Sequence, residues 1–77
     1  GRPPMGFDLH EGQLVPNEDF HLVEKILKMR NRKVTLREIS NIMNTFAPGR
    51  AWSEVKVHRI VKRWGSLRSF RRAFPKI

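Results

Sequence analysis

One stretch limits the fold of this chain more than any other: residues 53–64, SEVKVHRIVKRW. Val57, Ile60, Val61 and Trp64 recur at i, i+3, i+4 and i+7, which is one apolar stripe at about 100° per residue. Ser53 stands where an N-cap is wanted, and Gly65 where a helix commonly stops. The opposite face carries Val55, Arg59 and Lys62, flanked by Lys56, His58 and Arg63. Such a helix must bury one side and offer a basic other side.

The remaining segments supply partners for that buried side. Gly1-Arg2-Pro3-Pro4 cannot be helix interior, and its prolines predict an extended arm over residues 1–6. Phe7-Asp8-Leu9 and Gln13-Leu14-Val15 around His10-Glu11-Gly12 predict a short β-hairpin with positive φ at Gly12, ended by Pro16. A lone hairpin is unstable, so its apolar face must rest on helices. Asn17 is a candidate N-cap for a helix over about 18–30, with Phe20, Val23 and Leu27 on one face and Leu22, Ile26 and Met29 beside it. Thr35-Leu36-Arg37-Glu38 is a capping box opening a helix over about 36–44 that buries Leu36, Ile39 and Met43, with Ile42 a further candidate. A connector over 44–51 contains the turn signal Pro48-Gly49. After Gly65-Ser66, Leu67, Phe70 and Phe74 can pack inward while Arg68, Arg71 and Arg72 stay out. The expected fold is mostly α: a small helical domain, residues 7–77, with a variant helix-turn-helix and a short N-terminal β-hairpin. Its predicted core is Phe20, Val23, Leu27, Leu36, Ile39, Met43, Val57, Ile60, Val61 and Trp64.

Charge says what kind of partner such a domain would meet. The net charge is +9, but residues 1–24 hold one base against five acids, and residues 25–77 hold fifteen bases against two. A concentrated basic segment implies a polyanionic partner. With 77 residues the chain is one domain, near the size where a single core is marginal. Cysteine is absent, which excludes a disulfide framework and any cysteine-based zinc site. No apolar run is long enough for a transmembrane span or a signal-peptide core. The start at Gly1 rather than Met is that expected of a fragment or a processed chain.

The two helices at 36–44 and 53–64 read as a helix-turn-helix whose second member enters the DNA major groove. The first would cross the backbone with Arg37 near phosphate. Lys56, Arg59, Lys62 and Arg63 are donors only; arginine can bond guanine bidentately and either type can hold phosphate. Val55, outward near the helix N-terminus, either meets a thymine methyl or packs on the connector or hairpin. The connector is longer than the usual turn of three or four residues. Arg2, held by proline and glycine, suits a narrow A·T-rich minor groove, against the ordinary reading of a disordered terminus. The full candidate set is Arg2, Arg37, Arg50, Ser53, Val55, Lys56, Arg59, Lys62 and Arg63.

Other chemistry finds little support. His10, His21 and His58 lack metal-ligand spacing on a shared element. Ser53 and Ser66 read as caps, and Ser40 and Ser69 as helix surface. The acids show no general acid/base pairing. Trp52 and Trp64 could stack on bases, although Trp64 belongs to the apolar stripe. No enzyme site, metal or cofactor is expected.

The order of these features resembles the DNA-binding part of serine site-specific recombinases, the resolvase/invertase superfamily. GRPPMGF resembles that family's Gly-x-Pro-Pro-x-Gly-aromatic segment after the catalytic domain's long helix. GQLVPNEDFHLVEKI is similar to the hairpin and helix that follow in the large members. TLREISNIMN, Gly49 and WSEVKVHRIV resemble the pattern Leu-x-x-Ile-x-x-x-Leu-Asn, Gly, Trp-Ser, Val-x-x-Ile, and there the longer connector is normal. The resemblance covers about residues 1–64. It implies Arg2 in the minor groove, 53–64 in the major groove, and strand exchange by a serine on another domain. Two departures stand out: the absence of the cysteines of the family's zinc ribbon, and Met43 where Leu is common. A second resemblance links VHRIVKRWGSLRSFRRAF to the Phe-Gly-Ser-Trp type repeat associated with homing endonucleases. It would make 53–74 the reading unit and leave the N-terminal part unexplained.

The expected partner is therefore double-stranded DNA, bound by a domain that is monomeric in isolation, with no small molecule and no membrane. The expected location is the cytoplasm, on the nucleoid. The alternatives are a transcription-regulator or homing-endonuclease module, a basic RNA-binding or ribosome-associated module, a surface docking an acidic protein, and a membrane-surface role for Leu67–Phe74.

Overall fold

The computed structural model describes residues 3–73. Two strands and four helices follow in order: β1 Phe7–His10, β2 Gln13–Pro16, α1 Phe20–Asn31, α2 Leu36–Phe46, α3 Glu54–Trp64 and α4 Leu67–Ala73. The fold is mostly helical with an N-terminal antiparallel hairpin, as expected, and the α2–connector–α3 unit forms the variant helix-turn-helix.

The hairpin turns over Glu11-Gly12, between the paired residues His10 and Gln13. Both turn residues have positive φ (52° and 80°), the signature of a two-residue type I′ loop that matches strand twist. Phe7, Leu9, Leu14 and Pro16 are cross-strand partners on one face, and Phe7 is buried. Within the expected arm, the Phe7 N–H donates to Pro4 O (3.2 Å), so Pro4 to Phe7 is a turn and not extended chain. Gly6 (φ +94°) is placed so tightly that a Cβ there would meet Val23 Cγ2 at 3.0 Å. Gly1 and Arg2 lie outside the described residues, as does Phe74.

The first helix begins later than the sequence predicts. Asn17 Oδ1 accepts from the Asp19 N–H (2.8 Å), forming a turn before the helix, and Asp19 is the capping position. Asparagine favours such local bonds over helix, which displaces the start to Phe20. At the other end Lys33 has φ 65°, with Lys33 N–H to Arg30 O (2.9 Å) and Val34 N–H to Met29 O (3.1 Å). This is a Schellman closure with lysine where glycine is usual. Thr35 Oγ1 accepts from the Glu38 N–H (3.2 Å), the forward half of the predicted capping box. The second helix continues to Phe46, beyond the predicted 44.

All elements converge on one core. Phe20, Val23, Leu27, Ile39, Met43, Val57 and Ile60 are buried as predicted, while Leu36, Val61 and Trp64 are half-buried against them. Phe7, Ile26, Trp52, Leu67 and Phe70 complete it. An aromatic cluster ties the chain ends together: Phe20 stacks on Phe70 at 5.0 Å, and Trp64 meets Phe7 at 5.2 Å and Phe70 at 5.1 Å. Such pairs add about 0.5–1.5 kcal/mol each beyond the area they bury. The hairpin does rest on helices, through Phe7. Ser40, expected on the surface, is buried. Three residues before Met43, it stands only about 60° away around the helix, on the inner side. Ile42 stays exposed.

Candidate nucleic-acid interface

The third helix is positioned by its two ends. Ser53 Oγ accepts from the Lys56 N–H (3.1 Å), and the Gly65 N–H closes the last turn on Val61 O (2.8 Å). Between them Val57 and Ile60 are buried, which fixes the helix's rotation about its axis. Val55, His58, Arg59 and Lys62 then necessarily point outward, and all four are exposed.

The connector sets where that outward face lies. It contains a single 3-10 turn, Pro48–Arg50, followed by Ala51 in a left-handed conformation (φ 51°). Trp52 then plugs into the core at 4% exposure. Asn44 holds it there: its Nδ2 donates to Trp52 O and its Oδ1 accepts from the Trp52 N–H, both at 2.8 Å. The indole Nε1 donates to Ala47 O (3.1 Å). Trp52 is thus a wedge, not a stacking platform. Two polar atoms of one side chain replace a ladder pair, so the connector keeps a defined path despite its length.

Three of the nine candidate residues are engaged within the connector. Arg50 is ion-paired with Asp19, joining connector to the start of α1. Lys56 Nζ donates to Arg50 O (3.0 Å) and lies over the Trp52 ring at 4.7 Å. Ser53 is engaged as a cap. These three hold the connector. Among the described residues the ion pairs engage Lys28, Arg50 and Arg71, and none engages Arg37, Arg59, Lys62 or Arg63. Arg63 lies over the Trp64 ring at 5.7 Å. Arg2 falls outside the described residues.

Two hollows frame the outward face. Leu36, Glu54, Val55, His58, Arg59 and Lys62 line a notch between the start of α2 and α3. Arg37 is exposed beside it, in the first turn of α2. Val55 is 60% exposed and lines this notch together with Leu36. Pro4 and Met5 share a second hollow with Arg59, Ile60, Arg63 and Trp64, which puts the root of the N-terminal segment beside α3. The sequence pattern assigned Leu36 wholly to the core and gave Asn44 no role. Leu36 has the ordinary spacing of a core residue; Asn44 and Trp52 both stand in the pattern that carries the family resemblance, but that pattern names no bond between them.

Among the described residues no helix is long and apolar enough to cross a membrane, and no group of three or more His, Cys, Asp or Glu side chains could hold a metal ion. No protein-family model, curated protein or solved structure matches the chain.

Proposed function

We propose that this chain is a sequence-specific double-stranded DNA-binding domain that targets a serine recombinase to its site. On this reading α3 lies in the major groove, the Gly-Arg-Pro-Pro segment reaches the minor groove, and the parent protein works on the nucleoid. The chain itself is not an enzyme. The observation that carries the reading is the exposed face of α3, where Val55, Arg59 and Lys62 stand opposite a buried stripe, with Arg59 and Lys62 in none of the ion pairs among the described residues. A helix of this build fits the major groove, and cations with no internal acid are suited to phosphate and base edges.

The recombinase assignment rests on the order of the Gly-Arg-Pro-Pro, hairpin, capping-box and Trp-Ser segments along the chain. Position supports it too, since the root of the arm lies beside Arg59 and Arg63. The homing-endonuclease reading is less favoured. Phe7 and Phe20 pack on Phe70, and Phe7 on Trp64, so residues 53–73 do not form a unit separate from the N-terminal part.

Selection of bound sequences from a random duplex pool tests the proposal. A half-site with an adjacent A·T step is expected, with affinity falling steeply as salt rises. A flat salt dependence, or a preference for structured RNA over the duplex, would overturn it.

A further inference from the structure

We propose that the notch between α2 and α3 recognises the C5-methyl group of a pyrimidine, close to a guanine bonded by Arg59. The inference rests on the DNA-binding reading above and names what its central contact recognises.

Val55 occupies the middle of the outward face in the first turn of α3 and keeps 60% of its surface exposed. Leu36, half-buried, lines the same notch. An apolar floor amid Arg59, Lys62, His58 and Glu54 can satisfy no hydrogen bond. In the major groove the one apolar group that a base presents is the C5-methyl of thymine, or of a methylated cytosine. The surrounding cations draw the notch onto phosphate-rich surface, which argues against an apolar protein segment as its occupant.

Spacing adds the guanine. Arg59 follows Val55 by one helical turn, a rise of about 6 Å, while stacked bases are about 3.4 Å apart. The two side chains therefore address positions within about two base steps. Arg59 offers donors only, and guanine O6 and N7 are the acceptor pair that its fork matches. Glu54, on the same notch, can accept from a cytosine N4 amino group, so methylated cytosine suits the site as well as thymine. The methyl also separates DNA from RNA, since uracil lacks it and the A-form major groove does not admit side chains.

The test uses the chain of residues 1–77 and its selected duplex. Each thymine is replaced in turn by deoxyuridine, which pairs identically and removes only the methyl. In separate duplexes each cytosine is replaced by 5-methylcytosine. One position should respond by about fourfold in Kd, the affinity equivalent of burying one methyl-sized group. A response to deoxyuridine identifies thymine as the source; a gain with 5-methylcytosine identifies the modified base. In V55A the ratio between methylated and unmethylated duplexes should fall to about one. Methyl ratios below twofold at every position, or a ratio that persists in V55A, would overturn the inference while leaving DNA binding intact. Failure of the chain to retain any duplex would overturn both.

Discussion

Arg50 and Lys56 carry the same charge as Arg59 and Lys62 and lie close to them in sequence, yet the two pairs have different work. The connector pair faces inward to protein groups: Arg50 to the Asp19 carboxylate, Lys56 to a backbone carbonyl and the Trp52 ring. Arg59 and Lys62 face outward from α3, the helix that also carries Lys56 and whose other side is buried. A count of basic residues therefore does not measure a binding surface. What matters is which cations the fold has already satisfied. Acids concentrated in the N-terminal part are used in this way, with Asp19 holding Arg50 and Glu24 within 4.0 Å of both Lys28 and Arg71.

The contrast predicts that connector changes act on stability and outward changes on binding. The largest effect is expected at the wedge. Trp52→Ala should destabilise the domain by about 3–5 kcal/mol, because it removes a buried ring and leaves a cavity. Denaturant unfolding measures this directly. A loss below about 1 kcal/mol would mean that the connector does not depend on its wedge. Next comes the outward face. Arg59→Ala should cost about 1–3 kcal/mol of DNA affinity and relax preference at one base pair, with stability changed by no more than about 0.5 kcal/mol. A uniform loss over all sequences would assign Arg59 to phosphate, and an equal loss of stability would erase the contrast.

Asn44→Ala comes third, and it also marks where the sequence stopped being informative. The variant leaves the Trp52 N–H and C=O without their partner, which should cost about 1–2 kcal/mol in denaturant unfolding. Caps and stripes were legible because they are local: Ser53, Thr35 and Gly65 act on residues within a turn of themselves. Gly12 was legible for the same reason. The bond from Asn44 to Trp52 spans a connector whose course depends on Ala51 in a left-handed conformation, which alanine seldom announces. The Schellman closure at Lys33 is hidden in the same way. Phe7 and Phe70 illustrate the other limit. Each has an apolar pattern that permits burial, but their position at the centre of the core follows from tertiary packing of the hairpin and α4 around Phe20 and Trp64. At the candidate site, periodicity alone placed Val55, Arg59 and Lys62 outside. It did not reveal that Arg50 and Lys56 were engaged, because their partners are distant or in backbone.

Arg50→Ala tests the contrast where it is smallest and most easily broken. The Asp19 pair is partly exposed, with 41% of the Arg50 side chain and 17% of the Asp19 side chain accessible, so solvent screens it. Its loss should cost no more than about 1 kcal/mol of stability. If Arg50 serves only the connector, Asp19→Asn should produce a similar small loss, and the double variant should lose little more than either single one. DNA affinity should then fall by less than in Arg59→Ala. The alternative has a distinct signature. Were Arg50 to exchange Asp19 for a phosphate on binding, Asp19→Asn would raise DNA affinity by releasing the guanidinium, and the salt dependence would lose about one unit of slope in Arg50→Ala. That result would move Arg50 from the connector to the binding surface. The division between the two regions would then hold only for the free protein.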